Sequence, residues 1–220
     1  MKNQSITEAM LQFIEESPTA FHAAANVEAL LLENGFEKLE NLAEGALVPG
    51  GSYYTMQNGS AVLAVKIPEN PAKGFRIAAS HSDSPCFKIK EVPEMKVENT
   101  YVKLNVEKYG GMILSPWLDR PLSVAGRVFV AGKDGKPEAK LVNLKKDLLI
   151  IPNVAIHFNR EINNGFAYNP QTDMAPLMGL DQELSIKKLC AEAAGVAEEE
   201  ILGSDLYVYN RDKGRIMGAD

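Results

Sequence analysis

The hydrophobic pattern changes its period at Pro85, and that change limits the chain to a fold in which two kinds of sheet follow one another. Ahead of it, Phe75-Arg76-Ile77-Ala78-Ala79 is a short, nearly continuous apolar run that stops on Ser80-His81-Ser82-Asp83-Ser84-Pro85. A run of this kind predicts a strand at a sheet centre, covered on both faces. Behind it, Phe87 and Ile89, then Val102, Leu104 and Val106, alternate with lysine and glutamate, the pattern of half-exposed antiparallel strands. Leu122 to Val130 and Leu148 to Ile151 continue it, separated by the turn-rich Lys133-Asp134-Gly135-Lys136-Pro137. Strand follows strand there with no helix between.

The first part of the chain carries helical spacing instead. Ile6, Met10, Phe13 and Ile14 predict a short helix that ends at Ser17-Pro18-Thr19. Pro18 suits the first turn of a second helix, whose apolar positions Phe21, Ala24, Ala25, Val27, Leu30 and Leu31 run to Asn34-Gly35. Phe36 to Leu39 predicts a short strand and Ser52 to Ile67 a hairpin turning at Asn58-Gly59, followed by a loop from Pro68 to Gly74. Helices followed by central strands predict an α/β layer architecture. Late in the chain, Asp181 to Gly195 reads as an amphipathic helix with Leu184, Ile186, Leu189, Cys190 and Ala193 inward. Asp205 to Asn210 then predicts a strand returning to the first sheet. The expected organisation is residues 1–89 in an α/β domain, 90–203 in an inserted β domain, and 204–220 back in the first.

Composition narrows the partners. The 220 residues carry 23 Lys and Arg against 29 Asp and Glu, a net charge of -6 with no long basic block, which argues against a nucleic-acid binder. No apolar run approaches the ~20 residues that cross a bilayer, and Met1 to Glu8 lacks a signal-peptide core, so no membrane is implied and a cytoplasmic location is expected. Two cysteines, Cys86 and Cys190, are too few and too far apart for a disulfide framework, in keeping with a reducing compartment.

The chemistry concentrates at the end of the apolar run. On a strand, His81 and Asp83 face the same way and Ser82 the other, so an imidazole and a carboxylate stand together. That pair suits a metal ligand with an acidic neighbour, although on spacing alone a strand-end histidine is more often only hydrogen-bonded structure. Ile151 to Ile156 delivers a second histidine, His157, from another apolar strand, and a satisfied core histidine is the simpler reading there. His22, with no acidic or cysteine partner at i+3 or i+4, reads as a helix-cap or surface residue. Cys86 reads as a small buried hydrophobe rather than a nucleophile. Trp117, beside Asp119-Arg120, reads as a buried indole anchoring its loop, with a substrate contact as the alternative. Glu198-Glu199-Glu200 reads as a solvated helix end.

Taken together, the motifs resemble those of the M18 metalloaminopeptidases, which include the aspartyl aminopeptidases. They are Ser17-Pro18-Thr19-Ala20-Phe21-His22, Ala79-Ser80-His81-Ser82-Asp83-Ser84-Pro85, Trp117-Leu118-Asp119-Arg120-Pro121-Leu122 with Ala125-Gly126-Arg127-Val128, and Ile151-Pro152-Asn153-Val154-Ala155-Ile156-His157, and they span nearly the whole chain in the family's order. The resemblance implies a partial dizinc-exopeptidase α/β sandwich interrupted by a mostly antiparallel β dimerisation domain, and assembly as dimers within dodecamers. It implies a peptide substrate cut at its N-terminal bond and two zinc ions per complete site, other divalent metals being possible. By motif, His81 resembles a ligand of one zinc and Asp83 the carboxylate that holds it. His157 resembles the histidine that reaches a neighbouring subunit's active site. Family members continue beyond Met217 to Asp220 into a segment with the bridging aspartate, the paired glutamates, and a later aspartate and histidine. Two expectations follow: the N-terminal part of a zinc aminopeptidase, inactive without its C-terminal half, or a non-catalytic oligomerisation module.

Overall fold

A computed structural model describes residues 5–40, 47–70 and 74–219. The middle of the expected Pro68-to-Gly74 loop, the first four residues and Asp220 lie outside the described residues. The chain divides into two units, Met1–Asp83 with Gly214–Asp220, and Ser84–Lys213.

In the first unit, Ser5 and Glu8 close a capping box, Ser5 N–H donating to Glu8 Oε2 at 2.9 Å and Glu8 N–H to Ser5 Oγ at 3.2 Å. This reciprocal satisfaction of free amides starts α1 (Ile6–Glu16). The second helix, α2 (Ala20–Glu33), starts on the Thr19 cap and ends at Asn34 and Gly35, whose φ of 76° is left-handed. Pro18 therefore precedes the cap instead of occupying the first turn. β1 (Glu37–Lys38) runs parallel to β2 (Ser52–Gln57), which pairs antiparallel with β3 (Ala61–Lys66). Asn58 and Gly59 adopt φ of 53° and 67°, and Ser60 N–H donates to Gln57 O at 3.1 Å, the twist-compatible turn that Asn-Gly favours. Tyr54 is fully buried, and its hydroxyl donates to Glu28 at 3.0 Å, which also accepts from Lys38 at 2.7 Å.

The apolar run before Pro85 departs from expectation. Residues 75–83 form no strand, and Phe75 and Ile77 are 93% and 85% exposed. A central strand takes its burial from neighbours on both edges, and among the described residues the sheet of this unit has three strands in the order β1-β2-β3, none of them paired with this segment.

The second unit holds β4 (Cys86–Val97), β5 (Tyr101–Tyr109), β6 (Leu122–Ala131), β7 (Pro137–Asn143), β8 (Leu177–Gly179), α3 (Ile186–Ala194) and β9 (Ile201–Asn210). All the strands join one antiparallel sheet in the order β7-β6-β9-β4-β5-β8. This corrects two boundaries. The β unit begins at Ser84, not residue 90, because β4 pairs with β5 from Cys86 onward. Residues 204–210 do not return to the first sheet: β9 lies between β6 and β4, with Leu122↔Asn210 and Phe87↔Val208 in register. The physical reason is burial on a shared face, since Leu206 and Val208 pack with Phe87, Leu104, Leu122, Val124 and Val128 in one core. Leu148 to Ile151 makes isolated bridges, Leu122↔Leu149 and Ile150↔Leu177, instead of a full strand. The predicted helix starts at Ile186 rather than Asp181, because Ser185 Oγ caps it by accepting from Lys188 N–H, and Gly195 ends it at φ 67°. Ile186 and Cys190 turn into the core.

Candidate functional site

His81 and Asp83 are brought together by a local loop and not by strand alternation. His81 Nδ1 stands 2.8 Å from the Asp83 carbonyl oxygen and 3.1 Å from Asp83 Oδ1. Both oxygens are acceptors, which assigns the proton to Nδ1 and leaves the Nε2 lone pair available to a ligand. A carboxylate that fixes the tautomer and the ring is the arrangement found behind metal-binding histidines. The imidazole is 81% exposed, and Ser82 donates from Oγ to Ser60 O at 2.8 Å. Among the described residues no three His, Cys, Asp or Glu side chains stand close enough to hold a metal ion together. A catalytic zinc takes three protein ligands, so His81 fits as one donor of a set and the described residues do not complete it.

His157 belongs to the other unit and does not end a strand. The buried backbone stops at Ile151, and His157 lies in a turn in which Phe158 N–H donates to Ala155 O at 2.8 Å. Its neighbours Val154, Ile156 and Phe158 are 54%, 51% and 85% exposed, so the expected core histidine is instead part of an apolar loop facing solvent. The change of register from strand to turn follows from Pro152, which cannot donate to a ladder.

The other candidates keep structural roles. His22 Nδ1 sits 2.8 Å from Thr19 Oγ1 at the start of α2, the expected cap position. Trp117 meets Phe87 edge-on, centroids 5.1 Å apart at 76°, which anchors its loop as expected. Cys86 is half-buried, and Cys190 is fully buried, its thiol pushed up to about 12 by desolvation. Sequence reading passed over a polar row on the sheet, where Arg127 donates to Asp205 at 2.9 Å, Lys88 reaches the same carboxylate at 3.4 Å, and the Arg127 guanidinium lies 4.8 Å over the Phe129 ring. These residues sit on three strands that pair across β9, and no local signal in the sequence joins them. Asp119, noted in the sequence only beside Trp117, has a φ of 58°, which is unusual outside glycine. The signal available was its place beside the tryptophan.

The family model described as Aminopeptidase I zinc metalloprotease (M18) matches residues 13–220. This chain belongs to the M18 family. A curated M18 relative, "Probable M18 family aminopeptidase 2" of Clostridium acetobutylicum, is 44% identical over 227 residues, covering 99% of this chain and 52% of its own length. The protein of the same description from Pseudomonas putida strain GB-1 is 36% identical, covering 97% of this chain and 52% of its own length. The chain thus spans about half the length of the curated M18 relatives it matches. Among solved structures, that of the Ape4 and Nbr1 complex matches at a TM-score of 0.88 and 31% identity, covering 96% of this chain and 45% of that one. Chaetomium thermophilum mApe1 matches at 0.85 and 29%, covering 97% and 52%. The α/β unit and the antiparallel β unit described above are accordingly a partial M18 fold. No helix among the described residues is long and apolar enough to cross a membrane.

Proposed function

We propose that this chain is the N-terminal half of the machinery of a zinc-dependent aminopeptidase that removes N-terminal residues from peptides in the cytoplasm. The observation that carries the reading is the Asp83-held imidazole of His81, with Nε2 open, in a chain of the M18 family. In this reading His81 supplies one zinc ligand through Nε2, and Asp83 holds the ring, fixes the tautomer and raises the basicity of the ligand nitrogen. Bound zinc, two ions per complete site, would supply Lewis-acid polarisation of the peptide carbonyl and an acidified water. The remaining ligands and the general base come from residues outside these 220. His157, on its solvent-facing apolar loop, enters a neighbouring subunit's site and donates to the developing oxyanion. Its exposed companions Val154, Ile156 and Phe158 favour a loop that a second copy covers, which supports a homo-oligomer with the dimer as its unit.

The test is zinc content and aminopeptidase activity of the 220-residue chain alone and with the other half of an M18 protein supplied. The expected result is activity only in the complemented form, lost on His81→Ala. Full activity with two tightly bound zinc ions in the isolated chain would overturn the proposal. A second reading, a non-catalytic oligomerisation module, is favoured by the self-contained core of the β unit. Complementation that yields oligomers but no activity would select it.

A further inference from the structure

We propose that Asp119 is a positioning residue that fixes the loop carrying His157, an inference that rests on the role proposed above for that histidine. The chain leaves the core at Ile151, which is fully buried, and runs into solvent as the exposed residues 152–158. Asp119 grips it at that exit from both sides. Its own N–H donates to Ile151 O at 3.0 Å, and its carboxylate Oδ1 accepts from Asn153 N–H at 2.8 Å. Asn153 passes the constraint on, its Oδ1 accepting from Val154 N–H at 2.9 Å. Beyond that point the turns of the loop are internal, Phe158 N–H to Ala155 O and Asn159 N–H to Ile156 O at 2.8 and 3.2 Å, so they shape the loop without aiming it.

Asp119 is itself held on either side. Two residues earlier Trp117 packs edge-on against Phe87 of the core. One residue later Arg120 donates from Nε to Pro116 O and from Nη1 to Asp212 Oδ2, at 2.5 and 3.2 Å. Between these anchors the Asp119 backbone is left-handed, with φ of 58°. Aspartate is one of the few side chains that tolerate this conformation, and strain of this kind persists where surrounding contacts over-determine it, often beside functional loops. The left-handed turn presents N–H and carboxylate to the two sides of the same exit. An alanine would have the strain without the acceptor, and a glycine the freedom without the acceptor.

Amide hydrogen exchange on the 220-residue chain tests the clamp apart from any activity. Asp119→Gly removes the acceptor and suits the backbone, whereas Asp119→Asn keeps an acceptor oxygen and the tolerance of positive φ. The expected result is exchange about fivefold or more faster at Asn153 and Val154 in Asp119→Gly, near-parental exchange in Asp119→Asn, and unchanged protection at Val124, Val128 and Val208 in both. Equal exchange at Asn153 in Asp119→Gly and the parent would overturn the clamp whatever His157 does. The second arm uses the 220-residue chain with the other half of an M18 protein supplied. Asp119→Gly is expected to lower kcat about tenfold with KM little changed, Asp119→Asn to restore it, and His157→Ala to cost at least as much as Asp119→Gly. If His157→Ala alone proves silent, the role of the histidine fails while the clamp stands on the exchange data. If His157→Ala is damaging but Asp119→Gly is not, the positioning inference is overturned.

Discussion

The two apolar runs that flank Pro85 have similar residue types and opposite fates. Phe87, on β4, is fully buried, whereas Phe75, twelve positions earlier, is 93% exposed. The difference is in partners. β4 pairs with β5 on one edge and with β9 on the other, and its Phe87 and Ile89 are buried in one core with residues of β6 and α3. Residues 75–79 have no ladder partner among the described residues. Apolar sequence creates a demand for burial, and only a completed set of neighbours satisfies it.

The comparison can be broken most decisively in the β unit. Phe87→Ala should destabilise it by about 3–5 kcal/mol, read from denaturant unfolding, because it removes a fully buried ring that Trp117 packs against. Gly126→Ala should cost at least about 2 kcal/mol, since a methyl group there would run into the Asp205 carbonyl oxygen of the paired strand. A loss under about 1 kcal/mol in either would mean that the sheet is looser than its register indicates. Ser185→Ala should cost about 1 kcal/mol, the worth of the α3 cap, with Ser185→Thr, which keeps the hydroxyl that also donates to Glu198, restoring most of it.

Smaller effects probe the first unit. The Lys38 hydrogen bond, helped by the Tyr54 hydroxyl and opposed by burial, holds the Glu28 carboxyl below the ordinary glutamate value. Lys38 in turn is held above the ordinary lysine value by its hydrogen bond to Glu28. A depressed carboxyl contributes stability above its unfolded value and loses it as pH falls through the folded one; a raised ammonium contributes below its unfolded value and loses it as pH rises through the folded one. The pair therefore supports β1 and α2 fully near neutrality and fades toward both extremes. Glu28→Gln should remove the acid-side dependence, by no more than about 1 kcal/mol, in thermal melts followed across acid pH. Phe75→Ala sharpens the contrast most cleanly, with stability expected within about 0.5 kcal/mol of the parent in this chain. A large loss in the 220-residue chain alone would show that Phe75 is already buried in solution.

The candidate site was legible in part. The His81-x-Asp83 spacing indicated the pairing, and the structure brings imidazole and carboxylate to 3.1 Å, although through a loop. His157 was visible as a residue but its setting was misjudged, because the apolar letters around it resemble a strand whether or not a partner strand exists. Asp119 was legible only as a neighbour of the tryptophan; its left-handed backbone and its bond to Asn153, 34 residues away, have no local signature.

What the sequence alone determined are the features that depend on neighbours a few residues apart. The Asn58-Gly59 turn and the alternation of β4 and β5 stand where the letters put them. The Ser5–Glu8 capping box and the Thr19 and Ser185 caps are just as local, side chains reaching nearby backbone, although the helix starts set by the latter two differ from those expected at Pro18 and Asp181. What the tertiary structure decided are the pairings of distant segments. β9 joined the β sheet because Leu206 and Val208 complete a face already lined by Phe87, Val124 and Val128, a preference that no local window contains. Residues 75–79 have no ladder partner among the described residues, because a strand covered on both faces depends on distant neighbours that no local window contains.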